Sequence, residues 1–293
     1  MKIACAAYPL DKFDDIAAYQ AKLTRWVAQA ADQGAELLVF PEYGAMELAS
    51  LGGAAVAADL EAALQEVMRH ESAVQDLHCA LAQRFGVHIL GASGPAMADA
   101  IARPVNRAVL YGPGGVIGHQ DKLIMTRFER EDWDIAPGPG VKVFDTKLGK
   151  LGVIICYDSE FPLLARAMVE QGAEILLVPS TTETIAGYTR VKVGAMARAL
   201  EGQCVTAHAP LVGMADWCAG VEENHGAAAI YAPPDAGWPE DGVLAMGALD
   251  APGWVLADVC RAQIAQTRAD GVVLGLQHWP EQYDRIRQRT ATP

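Results

Sequence analysis

Short apolar runs alternate with amphipathic stretches along this chain. Ile3 to Tyr8 is an apolar run of strand length, and Asp14 to Gln33 repeats apolar residues at helical spacing until Gly34. A glycine just past the last turn is a common helix stop, because its backbone enters the left-handed region freely. AELLVFPE (35–42) is a short apolar run closed by a proline, the pattern of a buried strand. Helical spacing returns over 58–84, and VHILGAS (87–93) reads as the next strand. NRAVLYGPGGVIGHQDK holds two alternating halves around Pro113-Gly114-Gly115, which predicts a two-stranded hairpin. A loop rich in charge and aromatics, Thr126 to Gly140, leads to the strands KVFDT and KLGVIICYD. Helices at 161–171 and about 188–202 flank a strand at 173–180, and CVTAHAP gives one more.

One segment recurs. Gly34–Glu42 reads GAELLVFPE and Gly172–Ser180 reads GAEILLVPS; each follows a helix and ends at a proline with a polar residue after it. Coincidence between two buried strands produces such an echo, and so do two halves built alike about a pseudo-twofold. The second arrangement adds a demand, that both strand ends open on one shared face. No linker-like Ser/Pro/Gly stretch separates the halves, so one domain over 1–275 is expected, followed by a short tail over 276–293.

Composition narrows the partners. Disorder needs low hydrophobicity and high charge, whereas this 293-residue chain is 52% hydrophobic and 20% charged. A formal net charge of −13 offers nucleic acid no basic footprint. No run approaches the ~18 apolar residues of a membrane span, and MKIACAAYPLD reads as a first strand rather than a lipoprotein leader. Cys5, Cys79, Cys156, Cys204, Cys218 and Cys260 are scattered, with no CxxC and no Cys/His spacing that suits zinc. They read as the reduced thiols of a cytoplasmic protein, mostly packing, with no metal and no cofactor.

Three reactive groups sit where strands end. Glu42 follows the apolar run ending Phe40-Pro41, where partial desolvation would raise its pKa and suit a general base. Lys122 ends GGVIGHQDK, where an ammonium could face a developing oxyanion. Cys156 closes the apolar run VII, with polar Tyr157-Asp158-Ser159-Glu160 and then a helix beyond it. That strand–turn–helix placement exposes a nucleophile beside backbone N–H groups. Each residue taken alone also fits a plain structural role, respectively a solvated cap, an exposed strand end and a core thiol.

Together FPE (40–42), Asp121-Lys122 after the Gly-rich turn and ICYDSEFP (155–162) resemble the carbon–nitrogen hydrolase, or nitrilase, superfamily. NRAVL (106–110), Gly138, QGAEILLVPS and ARALEGQ (197–203) extend the resemblance over most of the chain. It implies a four-layer α-β-β-α sandwich of two mixed sheets with helices outside. It implies Cys156 as nucleophile, Glu42 as base, and Lys122 with the Tyr157 N–H as oxyanion donors. A thiolate beside an ammonium is expected to have a depressed pKa. A second glutamate commonly follows the lysine; Glu129, next to Phe128, is preferred over Glu131. Trp133 and His208 are expected at the substrate pocket, and Cys5, Cys79, Cys204, Cys218 and Cys260 as packing.

The implied reaction is hydrolysis of a small amide or carbamoyl compound through a thioester, with no cofactor. A true nitrilase and a silent binding scaffold are the alternatives, although a scaffold has no need of all three groups. The late stretch HGAAAIYAPPDAGWPEDG (225–242) departs from the family's usual Gly-x-Ser pattern, which leaves the substrate open. A homodimer is implied through the helices at 161–171 and 188–202, along FPLLARAMV and VKVGAMARAL.

Overall fold

Side-chain alternation along the first strand, β1 (Lys2–Ala7), sorts the molecule into layers. Ile3, Cys5 and Ala7 face one buried cluster, while Ala4 and Ala6 face another. In the computed structural model, which describes residues 1–99 and 101–286, the chain continues through α1 (Ile16–Asp32) and β2 (Leu37–Val39). A 3-10 helix at Gly44–Gly52 leads to α2 (Ala54–Ala57), α3 (Leu60–Arg69) and α4 (Glu71–Phe85). Next come β3 (His88–Leu90), β4 (Gly94–Ala96), β5 (Val105–Gly112), β6 (Gly115–Asp121) and α5 (Arg127–Glu131). The following stretch gives β7 (Val143–Thr146), β8 (Gly149–Val153), a 3-10 turn at Cys156–Glu160, α6 (Pro162–Glu170) and β9 (Ile175–Ser180). After α7 (Ile185–Gly202) and β10 (Val205–Pro210) come the ribbon of β11 (Gly213–Met214) and β12 (Glu223–Asn224). β13 (Ala229–Tyr231), β14 (Val243–Met246), β15 (Gly253–Asp258) and α8 (Arg261–Asp270) follow.

One sheet has the order β15-β1-β2-β3-β5-β4, with β6 on the other flank of β5; the second has the order β14-β13-β10-β9-β8-β7. Both are mixed: β1-β2-β3 and β8-β9-β10 run parallel, and their neighbours pair antiparallel. β1 and β2 face β10 across the interface between the sheets. Outside the first sheet α1 lays Tyr19, Leu23, Trp26, Val27 and Ala30 against Ala4, Ala6, Leu38 and Phe40. Outside the second, α6 and α7 bury Met168, Val169, Val191, Ala195 and Ala199. The architecture is the four-layer α-β-β-α sandwich. Among the described residues, no helix is long and apolar enough to cross a membrane.

Several elements differ from the sequence reading. The helical stretch at 58–84 is two helices meeting at His70, because α3 packs on the 3-10 helix while α4 packs on β5, β6 and α1. Two different partners need two axes. The Thr126–Gly140 loop contains α5, started by a capping box in which Thr126 and Glu129 each bond the other's backbone N–H. Strands β13, β14 and β15 complete the sheets from the late stretch that pattern alone left unassigned. Of the expected tail, α9 (Gly275–His278), a 3-10 turn at Trp279–Glu281 and α10 (Gln282–Arg285) are helical. Residues 287–293 lie outside the described residues. Cys260, the residue before α8, is exposed and so is not packing, whereas half-buried Cys79 packs against the cluster outside the first sheet.

The echo has a physical outcome. Residues 34 and 172 both take positive φ, +80° and +96°, turning each helix into its strand. The two strands end at one place, where the Thr181 N–H donates to Glu42 Oε2. β1 and β10 also join there: the Tyr8 N–H donates to the Pro210 carbonyl at 3.0 Å, and the Val212 N–H to the Tyr8 carbonyl at 3.0 Å.

A second buried ion pair anchors the segment leaving Glu42. Lys22 of α1 donates to Glu47 of the 3-10 helix at 2.7 Å and to the Pro9 carbonyl at 2.6 Å. Glu47 also accepts from the Tyr8 hydroxyl at 2.7 Å, and Lys22 and Glu47 are both almost fully buried. Removing one partner of such a pair strands the other charge. Lys22→Met is therefore expected to lower stability by about 3–5 kcal/mol, read as a shifted urea midpoint, and Lys22→Met/Glu47→Leu should recover part of it.

Candidate active site

Each reactive group stands just beyond a strand, where the ladder ends and the backbone is free to turn. Glu42 follows β2, Lys122 is the residue after β6, and Cys156 opens the 3-10 turn after β8. Tyr43 and Cys156 take left-handed backbone angles, φ +52° and +50°. Such conformations are strained for non-glycine residues and gather at functional sites. At Cys156 the turn aims the thiol away from its strand, while the start of the helix leaves N–H groups, Tyr157 among them, without intrahelical partners.

The three groups converge. Lys122 Nζ donates to Glu42 Oε1 and to Glu129 Oε2, at 2.7 Å each. Asn106 Nδ2 also donates to Glu42 Oε1, at 3.0 Å, and the Thr181 N–H donates to Oε2 at 2.9 Å. Cys156 Sγ donates to the Thr181 carbonyl at 3.4 Å and lies close enough to the Glu42 carboxylate for each to shift the other's pKa. Glu129 collects more donors: the Thr126 N–H at 2.8 Å, the Thr126 hydroxyl at 2.9 Å and the Tyr43 hydroxyl at 2.9 Å. Glu42, Lys122, Glu129 and Cys156 are all buried, the thiol at 5% exposure being the most accessible.

Asp158 joins the pieces. Its carboxylate accepts from the N–H groups of Ile124 at 2.8 Å, Leu123 at 3.2 Å and Ile155 at 3.3 Å. That ties the chain leaving Lys122 to the chain entering Cys156. Burial pushes the Asp158 carboxyl up to about 7, against the pull of Lys122 and these N–H groups. At residue 138 a Cβ would sit 2.6 Å from Cβ of Asp121, so only glycine lets the following loop lie against the Asp121-Lys122 backbone. The Gly138 N–H donates to the Lys122 carbonyl at 2.7 Å.

The charges settle the resting state. Burial pulls the Lys122 ammonium down, but Glu129, Glu42 and Cys156 outweigh it and hold Lys122 well above its ordinary value. Burial pushes Glu129 up, yet Lys122 and the Thr126 donors hold it below the usual carboxylate range. Glu42 ends above that range, because burial and the neighbouring Glu129 outweigh Lys122. Cys156 is pushed well up by burial and by the Glu42 carboxylate, with Lys122 opposing. The expected depressed thiol pKa is corrected here: burial disfavours the thiolate first, the Glu42 carboxylate repels it, and Lys122, itself paired with two carboxylates, does not offset them.

The remaining expected residues separate. Glu131 points to solvent and pairs with Arg127 at 2.7 Å, so it stays outside the cluster. Trp133 is buried and lies against Tyr43 at 4.6 Å and Phe128 at 5.6 Å, backing the Tyr43–Glu129 contact. Tyr157 packs its ring edge-on to Phe161 at 4.9 Å. His208 is fully buried in β10, hydrogen-bonded to the Ser180 hydroxyl at 2.8 Å and stacked on Tyr188, with no contact to the four-residue cluster. Burial takes its pKa down to about 3. Sequence reasoning gave no role to Tyr43, Thr126 and Thr181, and took Asn106 only as the first residue of the matching stretch NRAVL. Only Thr126 had a readable signal, the T-x-x-E capping spacing to Glu129.

Comparison with known proteins identifies the family of the chain. Residues 2–268 match the family model described as carbon-nitrogen hydrolase. The chain is 30% identical over 277 residues to the probable hydrolase YhcX of Bacillus subtilis (strain 168), covering 94% of this chain and 53% of YhcX. It thus spans about half the length of that relative. It is 28% identical over 300 residues to the bifunctional nitrilase/nitrile hydratase NIT4A of Lupinus angustifolius, covering 92% of this chain and 81% of that one. Among solved structures, an amidase from Nesterenkonia sp. AN1, with acrylamide added at its active-site cysteine, superposes with a TM-score of 0.72. The pair shares 22% identity over 98% of this chain and 100% of the amidase, a likeness of fold. With the family model matched along nearly its whole length, the chain belongs to the carbon–nitrogen hydrolase family, whose members include amidases and nitrilases.

Proposed function

We propose that the protein hydrolyses the C–N bond of a small amide or carbamoyl compound through a thioester on Cys156. The observation that carries this reading is one ammonium, Lys122, held between Glu42 and Glu129 beside a protonated thiol. As Cys156 Sγ attacks the carbonyl carbon, Glu42 takes the thiol proton, and the developing oxyanion is met by Lys122 and the Tyr157 N–H. Glu42 passes that proton to the leaving nitrogen, which departs as ammonia or an amine. Water then attacks the thioester, giving its proton to Glu42, and the acid product leaves as the thiol is restored. Base and nucleophile work as a pair, since burial disfavours a free thiolate before substrate arrives.

Glu129 serves this cycle as a fixed anion. Its bonds to Lys122, Thr126 and Tyr43 leave it ionised, so it holds the ammonium in place rather than moving protons. A second reading, attack on a nitrile, is favoured by the likeness to lupin NIT4A. The same residues would then form a thioimidate, and water would release ammonia from it. The substrate is small, the enzyme cytoplasmic and independent of cofactor, with chain 1–275 acting as one unit. Exposed Leu163 (69%), Val193 (58%) and Leu200 (50%) on α6 and α7 support a homodimer through that face.

A panel of short amides, carbamoyl compounds and nitriles, with ammonia as the readout, tests the reading. Cys156→Ala should reduce turnover by at least roughly 10³-fold, and nearly isosteric Glu42→Gln by roughly 10²–10⁴-fold, each measured on protein whose circular dichroism shows it folded at the assay temperature. A Cys156→Ala enzyme keeping more than a few per cent of its activity would contradict it. The pH dependence has a definite sign. Glu42 must be ionised to act and its pKa is raised, so kcat/KM should fall with acidification at a pH above the ordinary carboxylate range. For the interface, Leu163→Asp/Val193→Asp should turn a dimer into a monomer by light scattering; an unaltered dimer would move the interface elsewhere.

A further inference from the structure

One residue grips both partners of the proposed chemistry through its backbone alone. The Thr181 N–H donates to Glu42 Oε2 at 2.9 Å, and the Thr181 carbonyl accepts from Cys156 Sγ at 3.4 Å. Where this residue sits therefore sets how far the base stands from the nucleophile. Thr181 lies past the end of β9, whose pairing with β10 stops at Ser180. Both of its backbone groups are committed to the site, so its own anchor is its hydroxyl, which donates to Asn224 Oδ1 at 2.6 Å.

Asn224 has no freedom to turn. It is buried in β12, and its Nδ2 donates to the Val221 carbonyl at 2.8 Å and the Gly213 carbonyl at 3.3 Å. Carbonyls only accept, so a flipped amide would set oxygen against oxygen twice. Oδ1 must then face Thr181, and the threonine hydroxyl must donate. The next pair repeats the clamp: the Thr182 hydroxyl donates to the His225 carbonyl, and the His225 N–H to the Thr182 carbonyl, at 2.8 Å each. The His225 ring is held in turn between Asp250 at 2.9 Å and Glu223 at 3.1 Å. The end of the β11–β12 ribbon is thus stapled to the segment that meets Glu42 and Cys156.

We propose that Asn224 is a positioning residue for the reaction, locking through the Thr181 hydroxyl the peptide that spaces Glu42 from Cys156. The proposal rests on the reading of Cys156 as nucleophile and Glu42 as its base. If the hydroxyl anchor is lost, the Thr181 peptide drifts, and Glu42 loses a donor that favours its ionised form. Proton transfer from the thiol slows, and the pH at which Glu42 becomes a base rises. A purely structural contact would do neither.

The test needs no identified substrate. Chloroacetamide, a small electrophile bearing an amide, alkylates Cys156: the S–C bond forms, chloride leaves, and the thiol proton goes to Glu42. Mass spectrometry of the Cys156 peptide gives the rate across pH. Thr181→Val, nearly isosteric, should slow labelling about tenfold and move its acid limb to higher pH, while Thr181→Ser stays within about threefold of the native rate. Asn224→Ala should resemble Thr181→Val, and the double variant should be no slower than the slower single, as expected for one shared interaction. Native rate and acid limb in Thr181→Val would overturn the proposal, as would an equal loss in Thr181→Ser or multiplied effects in the double variant. Failure of Glu42→Gln to slow labelling is a separate result, which would remove the underlying reading itself.

Discussion

Lys122 reaches two buried carboxylates at once, at 2.7 Å each, and the rest of the site is arranged around that shared ammonium. Two carboxylates buried without a cation would be driven to protonate. One ammonium between them keeps both useful while leaving an excess of negative charge. That excess is divided unequally. Glu129 takes further donors from Thr126 and Tyr43 and stays ionised; Glu42 has fewer compensating donors, and its pKa ends raised. Cys156 meets the remaining negative potential and keeps its proton. In the mechanism proposed here, burial and that excess of negative charge together keep the base strong and the thiol neutral.

The fold delivers these groups by ending strands of both sheets at one edge. Three cross-links hold that edge together, each joining distant parts of the chain. Tyr8 bonds Pro210, Thr181 bonds Glu42, and Asp158 bonds the backbone at Leu123 and Ile124. The first ties sheet to sheet, the second ties the two echoing strand ends, and the third ties the lysine loop to the cysteine turn. Behind them, the Lys22–Glu47 pair fixes the chain as it leaves Glu42. The strained φ angles at Tyr43 and Cys156 are held in a frame supported on every side.

Much of this was legible in the sequence because it rests on local pattern. Apolar runs closed by Pro41 and Pro179 announced buried strands, and Cys156 between an apolar run and a polar turn pointed to a candidate nucleophile, although the expected exposure was wrong: the thiol is buried. The pairing of GAELLVFPE with GAEILLVPS foretold that two strand ends would meet. What stayed hidden depends on contacts across long separations. Nothing near Thr181 or Asn224 in sequence marks them as neighbours of Glu42 and Cys156, and NRAVL extends the resemblance without showing that Asn106 bonds Glu42. The break at His70 was hidden too, since helical periodicity does not reveal that its two halves pack on different neighbours. The thiol's ionisation was misjudged because the sequence placed Lys122, Glu42 and Glu129 near Cys156 without showing how completely the thiol is buried or how the ammonium is shared.

The protonation state of Cys156 in the free enzyme tests this account most directly. A thiolate absorbs near 240 nm, so the difference in that absorbance between the native protein and Cys156→Ala reports this thiol alone. With the thiol held protonated, no thiolate signal from Cys156 is expected between about pH 6 and about pH 8.5, a range in which an activated cysteine thiolate would already be formed. A full thiolate signal at neutral pH would contradict it, because the shared ammonium would then be stabilising the sulfur anion rather than the two carboxylates.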